Sequence, residues 1–428
     1  MRINVPKGLF DIVPEELKKE DAWRSSDRWA YLENVIRTVC QTYGYHEIRT
    51  PVFERTELFV RGVGDTSDIV SKEMYTFDDK AGRSMSLRPE GTAPVIRSFV
   101  EKGLHQLGSY HKLFYIGPYF RYDRPQAGRY RQFHQFGVEA IGDASAEQDV
   151  EIIDLLCEIY RRIRLKEWTL LINSVGDSSC RASYRDALKA YLKPHFEKLS
   201  DDSKVRFEKN PLRILDSKDA GDKKFLEGAP SIHDHLNEPC KAHFDAVCSG
   251  LKALGIPYTI DQKLVRGLDY YNQTVFEITS TSLGAQNSIS AGGRYDGLIS
   301  DLGGPDLPST GFAGGIERLL QTMDGQGVSF PQKPHPFIYL IPLEQNPKVQ
   351  ELLYGLRHAG IPADCAPAGK KIQKGLQLAS QKGSIYALVL GTEELSSKKA
   401  KLKHLETRKE IEIDFEDLIA TTRQLYET

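Results

Sequence analysis

Nothing in the 428 residues approaches the roughly 18 consecutive apolar positions of a membrane-spanning helix, and the opening MRINVPKGLF lacks the charged-then-apolar layout of a leader peptide. The expectation is a soluble, cytoplasmic protein with no membrane partner. An excess of charge is lacking too: 57 Lys and Arg face 59 Asp and Glu, a net of -2. Bulk electrostatics therefore cannot hold a nucleic acid, and any such partner must be held by local patches. Cysteine is sparse. Cys40, Cys157, Cys180, Cys240, Cys248 and Cys365 are scattered without a CxxC, which argues against a disulfide framework and fits reduced, structural thiols. One stretch gathers ligand-type side chains, His233, His235, Cys240 and His243. Their spacing is not that of a paired zinc knuckle, and helix-turn signals with acidic neighbours account for it, so the metal ligands stay unknown.

What is present centres on Phe114 to Gly142, FYIGPYFRYDRPQAGRYRQFHQFGVEAIG. It reads as a hairpin with a long tip holding Pro125 and Gly128. Arg121, Arg124, Arg129 and Arg131 are answered only by Asp123, a pattern that suggests an anionic ligand. Period-two alternation sends Gln135, Gly137 and Glu139 to one face and Phe136 and Val138 to the other. The glycine between two polar residues leaves an expected gap for a small polar ligand.

A chain this long holds about two to four domains. From Trp29, apolar residues at Leu32, Val35, Ile36 and Val39 have helical spacing, with Gly44 as the stop. GYHEIRTPVFERTELF follows as a strand broken by Pro51, which confines it to an edge or an interface. MYTF and SMSLR form a second expected hairpin. Glu90, Gly91 and Thr92 stand at a strand-to-helix joint, where backbone donors and short polar side chains meet ligands, or where Thr92 caps the helix. Ser145 and Gln148 have the form of a capping box before a helix, and WTLLINSVGD reads as a strand. Residues 178 to 254 are polar helical text, read as an inserted module with KDAGDKKFLEGAP as a charged loop.

The sheet resumes at Tyr258 through LVRGLDYYNQTVFEITS, then a glycine-dense strand and a helix with Arg318 in its first turns. A cation at a positive helix N-terminus does not help the helix, so Arg318 is easier to explain as a phosphate ligand. After a Pro331 to Pro336 linker, the last stretch alternates strand and helix as a small α/β domain with a mixed or parallel sheet. Ten Lys or Arg against three Glu between Lys370 and Lys409 make an RNA contact the expected use of that domain.

These residues together resemble a class II aminoacyl-tRNA synthetase, end to end. The helix with the Pro51 strand is similar to motif 1, FRYDRP to RQF to motif 2, and GFAGGIERLL to motif 3. LVRGLDYY and AGGRYDGL resemble the two signature peptides of the histidyl-tRNA synthetase family, which are more selective than the generic motifs.

The resemblance implies an α+β fold, with an antiparallel six-stranded sheet flanked by helices, a helical insertion and a C-terminal α/β anticodon-binding domain. The implied division is a catalytic core at 1–174 and 258–328, an insertion at 175–257, a linker at 329–336 and the last domain at 337–428. ATP with Mg²⁺, L-histidine and tRNA(His) are the implied ligands, and motif 1 implies a homodimer.

Carried over, Arg121 holds the α-phosphate, Phe133 stacks on adenine, Arg318 meets the γ-phosphate, and Arg129 lies near ATP or the tRNA end. Glu90, Gly91, Thr92 and Gln135 hold the histidine α-amino group. Glu139 and Tyr271, with Tyr270 beside it, read the imidazole, and Arg266 lies between the histidine carboxylate and the α-phosphate. Arg121 and Arg266 are the implied catalytic pair. One departure is Asp123, where many class II motif 2 sequences carry Glu. A rival reading is a synthetase-like regulatory subunit of histidine biosynthesis, which is expected to lack the last domain and part of the arginine set. A catalytically dead RNA-binding or signalling module is a third.

Overall fold

The computed structural model describes residues 3–16, 18–64, 67–123, 128–217, 219–283 and 287–427. The chain parts into two compact units, Met1–Phe330 and Pro331–Thr428.

The first unit is built on a sheet of eight strands. In spatial order they are His46–Glu47, His111–Phe120, Gln132–Ile141, Ser309–Gly315, Ser288–Arg294, Asn272–Thr279, Thr169–Ser174 and Thr259–Ile260. The inner six are all antiparallel to their neighbours, and the two short outer strands pair parallel. The expected antiparallel six-stranded sheet is therefore present, with a short parallel strand on either edge. Alternation does the sorting. Phe136, Val138, Phe276, Ile278 and Phe312 pack in one core with Leu32 and Ile36 of helix Ser26–Thr42 and Ile152 and Leu156 of helix Ala146–Arg162. Leu32 is fully buried, so its truncation to Ala would cost about 2–5 kcal/mol. Helix Ser26–Thr42 follows the sequence spacing, and Gly44 ends it at a φ of +80°.

Pro51 lies between two edge strands, His46–Glu47 of the main sheet and Phe53–Arg55 of a three-stranded sheet, as its missing N–H requires. The latter sheet also holds the expected hairpin, Thr76–Asp78 with Ser84–Leu87, turned by Asp79, whose carboxylate accepts from Ala81 and Arg83 N–H.

Ser145 does stand at the N-cap of helix Ala146–Arg162, but its side chain makes no cap bond and the capping box does not form. Gln148 is drawn elsewhere, accepting from Tyr110 and donating to Glu151. The polar helical stretch contains helices Ser178–Leu192, Asp201–Lys209, Ala220–Leu226 and Glu238–Ala253, N-capped by Asp177, Ser200, Asp219 and Asn237. Ala220–Leu226 corrects the charged loop expected there. Asp219 accepts two backbone N–H groups, and Asp222 gathers the hydroxyls of Ser200, Ser203 and Ser217. The segment holding LVRGLDYY is not strand; the sheet resumes in earnest at Asn272.

The second unit has a mixed sheet in the order Ala363–Cys365, Ile338–Pro342, Tyr386–Leu390, Lys399–His404, Glu410–Asp414. The first three strands are parallel and the last two antiparallel. Helices Pro347–His358, Ile372–Gln381 and Leu418–Glu427 accompany it. Strands Lys399–His404 and Glu410–Asp414 form a hairpin that the sequence shows only as a basic run. Its lysines face acids just beyond that run, Lys403 with Glu410 at 2.9 Å and Lys399 with Asp414 at 3.4 Å. These exposed pairs add little stability, yet they cancel part of the positive patch.

Candidate active site

The hairpin His111–Phe120 and Gln132–Ile141 supplies the floor of a cavity of about 270 Å³. Arg121 leaves the first strand with its Nε bonded to the Pro89 carbonyl at 2.9 Å and its guanidinium over the Phe133 ring at 5.3 Å. Burial pulls its pKa below the ordinary arginine value, with Glu73 and Glu90 acting against it. Arg318 enters from helix Ile316–Gly325. Its Nε donates to the Gly128 carbonyl at 3.0 Å and its Nη1 to the Ser288 carbonyl at 2.8 Å. Burial and the nearby Arg129 and Arg121 also lower its pKa. Three guanidinium groups thus line one wall within electrostatic reach of one another, an arrangement that a polyanion relieves. Arg129 binds Asp123 at 2.9 Å, so the shorter acid of motif 2 is engaged by an arginine here. Residues 124–127, with Arg124 and Pro125, lie outside the described residues.

The same cavity also carries groups that suit a small zwitterion. Glu90, rather than Thr92, caps helix Thr92–Glu101, accepting from Thr92 N at 2.8 Å and Ala93 N at 2.9 Å. Burial raises the Glu90 pKa while those two amides oppose the rise. Arg266 pairs with Glu277; burial disfavours its charge, but Glu277 outweighs that and the net shift is upward. Two buried polar atoms on this cavity's side chains, Arg266 Nε and Gln135 Oε1, have no hydrogen-bond partner among the described residues. Buried polar groups are normally satisfied, so orphans of opposite type in one cavity point to a ligand carrying both an acceptor and a donor. Tyr270 and Tyr271 also line the cavity and stand together, ring centroids 4.6 Å apart.

The structure brings Glu90, Gly91, Thr92, Arg121, Arg129, Phe133, Gln135, Arg266, Tyr270, Tyr271 and Arg318 to this one cavity. Glu139 is placed differently. It is 0% exposed, beneath the lining, and accepts from Tyr115 Oη at 3.1 Å and from Tyr295 Oη. Burial pushes its carboxyl up to about 8, against the Tyr295 hydrogen bond. The open gap expected over Gly137 is filled: the Tyr115 hydroxyl lies 2.4 Å from where a Cβ at residue 137 would be. Ligand space therefore begins at Gln135 and above the tyrosine, not over Gly137.

Sequence reasoning missed Glu73, Tyr130 and Glu317 of the lining and Glu277 behind it. Glu317 accepts from His134 N at 2.8 Å and pairs with its Nδ1 at 2.9 Å, tying the helix of Arg318 to the hairpin. Its position next to Arg318 was the available signal. Glu277 and Glu317 are thus committed to Arg266 and His134, and no set of three metal-ligating side chains gathers in the cavity among the described residues. These donors do not make a resident Mg²⁺ site.

A family model described as histidyl-tRNA synthetase matches residues 11–319, and one described as an anticodon-binding domain matches residues 338–425. The histidine–tRNA ligase of Protochlamydia amoebophila is 55% identical over 99% of this chain and 100% of its own. That of Acetivibrio thermocellus is 46% identical over 98% and 99%. The solved structure of apo histidyl-tRNA synthetase from S. aureus superposes with a TM-score of 0.83 at 36% identity, covering 99% of this chain and 100% of that one. With the model match spanning most of the chain and the arginine-lined cavity built from the same peptides, this chain belongs to the histidyl-tRNA synthetase family.

Proposed function

We propose that the chain is a histidine–tRNA ligase that activates L-histidine with ATP and passes the histidyl group to tRNA(His). The observation that carries this reading is one cavity lined by Arg121, Arg129 and Arg318 together with Arg266 and Gln135, whose Nε and Oε1 are orphaned among the described residues.

In the first step a histidine carboxylate oxygen attacks the α-phosphorus of ATP, the bond to the β-phosphate oxygen breaks, and pyrophosphate leaves. Both reactants are anions, so the chain's task is to hold them in line and spread their charge. Phe133 offers its face to adenine, Arg121 sits at the α-phosphate, and Arg318, with Arg129 beside it, takes the far phosphates. Arg266 bridges the histidine carboxylate and the α-phosphate. Gln135, with Glu90 and Thr92, accepts from the α-ammonium. Tyr271 and Glu139 serve the imidazole, the latter from below through its network with Tyr115 and Tyr295. Mg²⁺, when bound, neutralises phosphate charge and arrives with the nucleotide. In the second step the terminal ribose hydroxyl of the tRNA attacks the adenylate carbonyl. An oxygen of the departing phosphate takes the proton, and AMP leaves.

Selectivity follows from burial. Tyr271, Glu139 and Tyr295 are all nearly or fully buried and polar, so an imidazole can join their hydrogen-bond network where an apolar side chain cannot. The 337–428 stretch is assigned to the anticodon, 175–257 to the insertion, and the lysines of the former to tRNA phosphates. Exposed Phe53 and Phe77, 6.0 Å apart on the three-stranded sheet, support a homodimer through that face. No helix among the described residues is long and apolar enough to cross a membrane, in keeping with a cytoplasmic enzyme.

A solved structure titled as an ATP phosphoribosyltransferase regulatory subunit/histidyl-tRNA synthetase shares the fold at 21% identity. That regulatory reading is disfavoured by the anticodon-domain match and the complete arginine set. Histidine-dependent exchange of pyrophosphate into ATP decides the matter. Purified protein is expected to exchange and to charge tRNA(His); absence of exchange removes the enzyme reading, and exchange without charging removes the ligase reading.

A further inference from the structure

Cys240, grouped by the sequence with three histidines, has other company in the fold. Its former partners are engaged separately, His233 with Asn173 at 2.8 Å, His235 with Ser183 at 2.9 Å and His243 with Asp149 at 2.7 Å. Cys240 instead meets Cys180 and Asp177, with one ligand atom from each within 4.8 Å of the others. The two sulfurs come from opposite ends of the helical stretch, each three residues past a helix cap. Asp177 caps helix Ser178–Leu192 and precedes Cys180; Asn237 caps helix Glu238–Ala253 and precedes Cys240. Two cap-x-x-Cys turns facing each other have the spacing of paired knuckles, with Asp and Asn at the outer positions.

We propose that Asp177, Cys180 and Cys240 form a binding site for a thiophilic divalent cation of the Zn²⁺ class, separate from the catalytic cavity. The donor set fits by type. Two thiolates select a soft or borderline ion over Mg²⁺, and a carboxylate completes three protein ligands, leaving a fourth position for solvent. It also fits by size. A tetrahedron with bonds of about 2.3 Å has edges of about 3.8 Å, so the ligand atoms need to close by about an ångström at most. The sulfurs sit in the first turns of these two helices.

Asp177 is held beside the sulfurs: its carboxylate accepts from the backbone N–H groups of Ser179 and Cys180 and from Asn237 Nδ2. Burial pushes the Cys240 thiol up to about 12, so metal entry must displace its proton. The balance is two thiols and one cation giving a metal dithiolate and two protons, so affinity rises with pH. The Cys180 Sγ accepts from Asn237 N at 3.2 Å, a bond that a metal-bound thiolate retains.

The clamp reaches the catalytic unit through the next residue. Arg181 Nη1 donates to the Tyr271 carbonyl at 3.0 Å. An ion joining Cys180 to Cys240 would therefore fix the helix turn against which the tyrosine peptide rests.

The test uses full-length, reduced protein stripped by a chelator and titrated with Co²⁺ as a spectroscopic probe, then with Zn²⁺. Expected are one equivalent of Co²⁺ with a sulfur-to-cobalt charge-transfer band, its displacement by Zn²⁺, and a rise in Tm with Zn²⁺. Cys180→Ser and Cys240→Ser should each lose the band, while Cys248→Ser and Cys365→Ser, at the partly exposed cysteines, keep it. Should a serine variant fail to fold, X-ray absorption on the Zn²⁺-loaded wild type takes its place and must show two sulfurs in the shell. No band, a band that survives both key substitutions, or a pair that crosslinks on mild peroxide oxidation yet takes no metal would overturn the assignment.

Discussion

Tyr115 lies against Gly137 across the hairpin, its hydroxyl 2.4 Å from the point where a side chain at residue 137 would begin. The same ring is also approached by Gly91, where a Cβ would lie 2.4 Å from the Tyr115 Cε2. Two glycines thus make a slot for one phenol, and that phenol donates to Glu139. Gly137→Ala must displace Tyr115, because the Phe312 carbonyl, 2.7 Å from the same point, belongs to the neighbouring strand and cannot yield. Overpacking of this kind costs about 1–3 kcal/mol. The variant is expected to unfold at lower denaturant and to raise the KM for histidine with a smaller change in the KM for ATP. An unchanged histidine KM would mean that the slot does not shape the amino-acid pocket.

The Glu139 carboxyl gives a pH signature. In the fold it keeps its proton up to about pH 8, against an ordinary value of 4.5. The folded chain therefore binds more protons than the unfolded one between those values, and this group's contribution to stability declines as pH rises through that window. Glu139→Gln, which has no proton to lose, should flatten the fall in Tm between about pH 5 and 8. Parallel Tm profiles for the two proteins would show that the carboxyl does not titrate there.

Arg266 and Glu277 separate catalysis from stability. Arg266→Ala removes the proposed bridge between carboxylate and α-phosphate and should lower pyrophosphate exchange by about 10²–10³-fold. It also leaves Glu277 without its partner, at a cost of about 1–3 kcal/mol. The double variant Arg266→Ala with Glu277→Gln should recover stability in denaturant melts but not exchange. Near-normal exchange by the single variant would refute the role given to Arg266.

How much of this was legible in the sequence depends on whether the cause is local. Helix Ser26–Thr42, the central hairpin and the joint at Glu90 follow from periodicity and turn residues, all of which act over a few positions. The roles of Gln135 and Arg266 as expected ligand groups rest on the family resemblance, and their orphaned atoms now support them. Long-range facts were not readable. Glu317 meets His134 across 183 positions, and Tyr115 reaches Gly137 only because the register pairs them. Gln148 failed to complete its capping box because Tyr110 and Glu151 compete for it through tertiary contacts. The lysine run hid a hairpin because its acids, Glu410 and Asp414, fall outside the run.

The aromatic face of the three-stranded sheet should carry self-association. Phe53 is 51% exposed and Phe77 43%, on an edge where Pro51 already limits pairing. Phe53→Asp combined with Phe77→Lys would place charges on that face while touching no buried core residue. Sedimentation is expected to show a dimer for the parent and a monomer for the variant, with lower specific activity. A variant that remains dimeric would move the interface elsewhere.

Removing residues from Phe337 onward should separate the two chemical steps. The first unit contains the cavity, both orphaned polar atoms and every predicted ATP and histidine ligand. The second has its own hydrophobic core around Leu340, Leu356, Leu388 and Leu402. Histidine-dependent exchange is therefore expected to persist within about a few-fold, while tRNA(His) charging falls far more. The lost charging should be traced to tRNA affinity. A domain that contributes several phosphate contacts makes binding salt-dependent, so the truncated protein should show a shallower salt slope than the parent. Loss of both steps in equal measure would assign the second unit to support of the catalytic fold or the dimer instead.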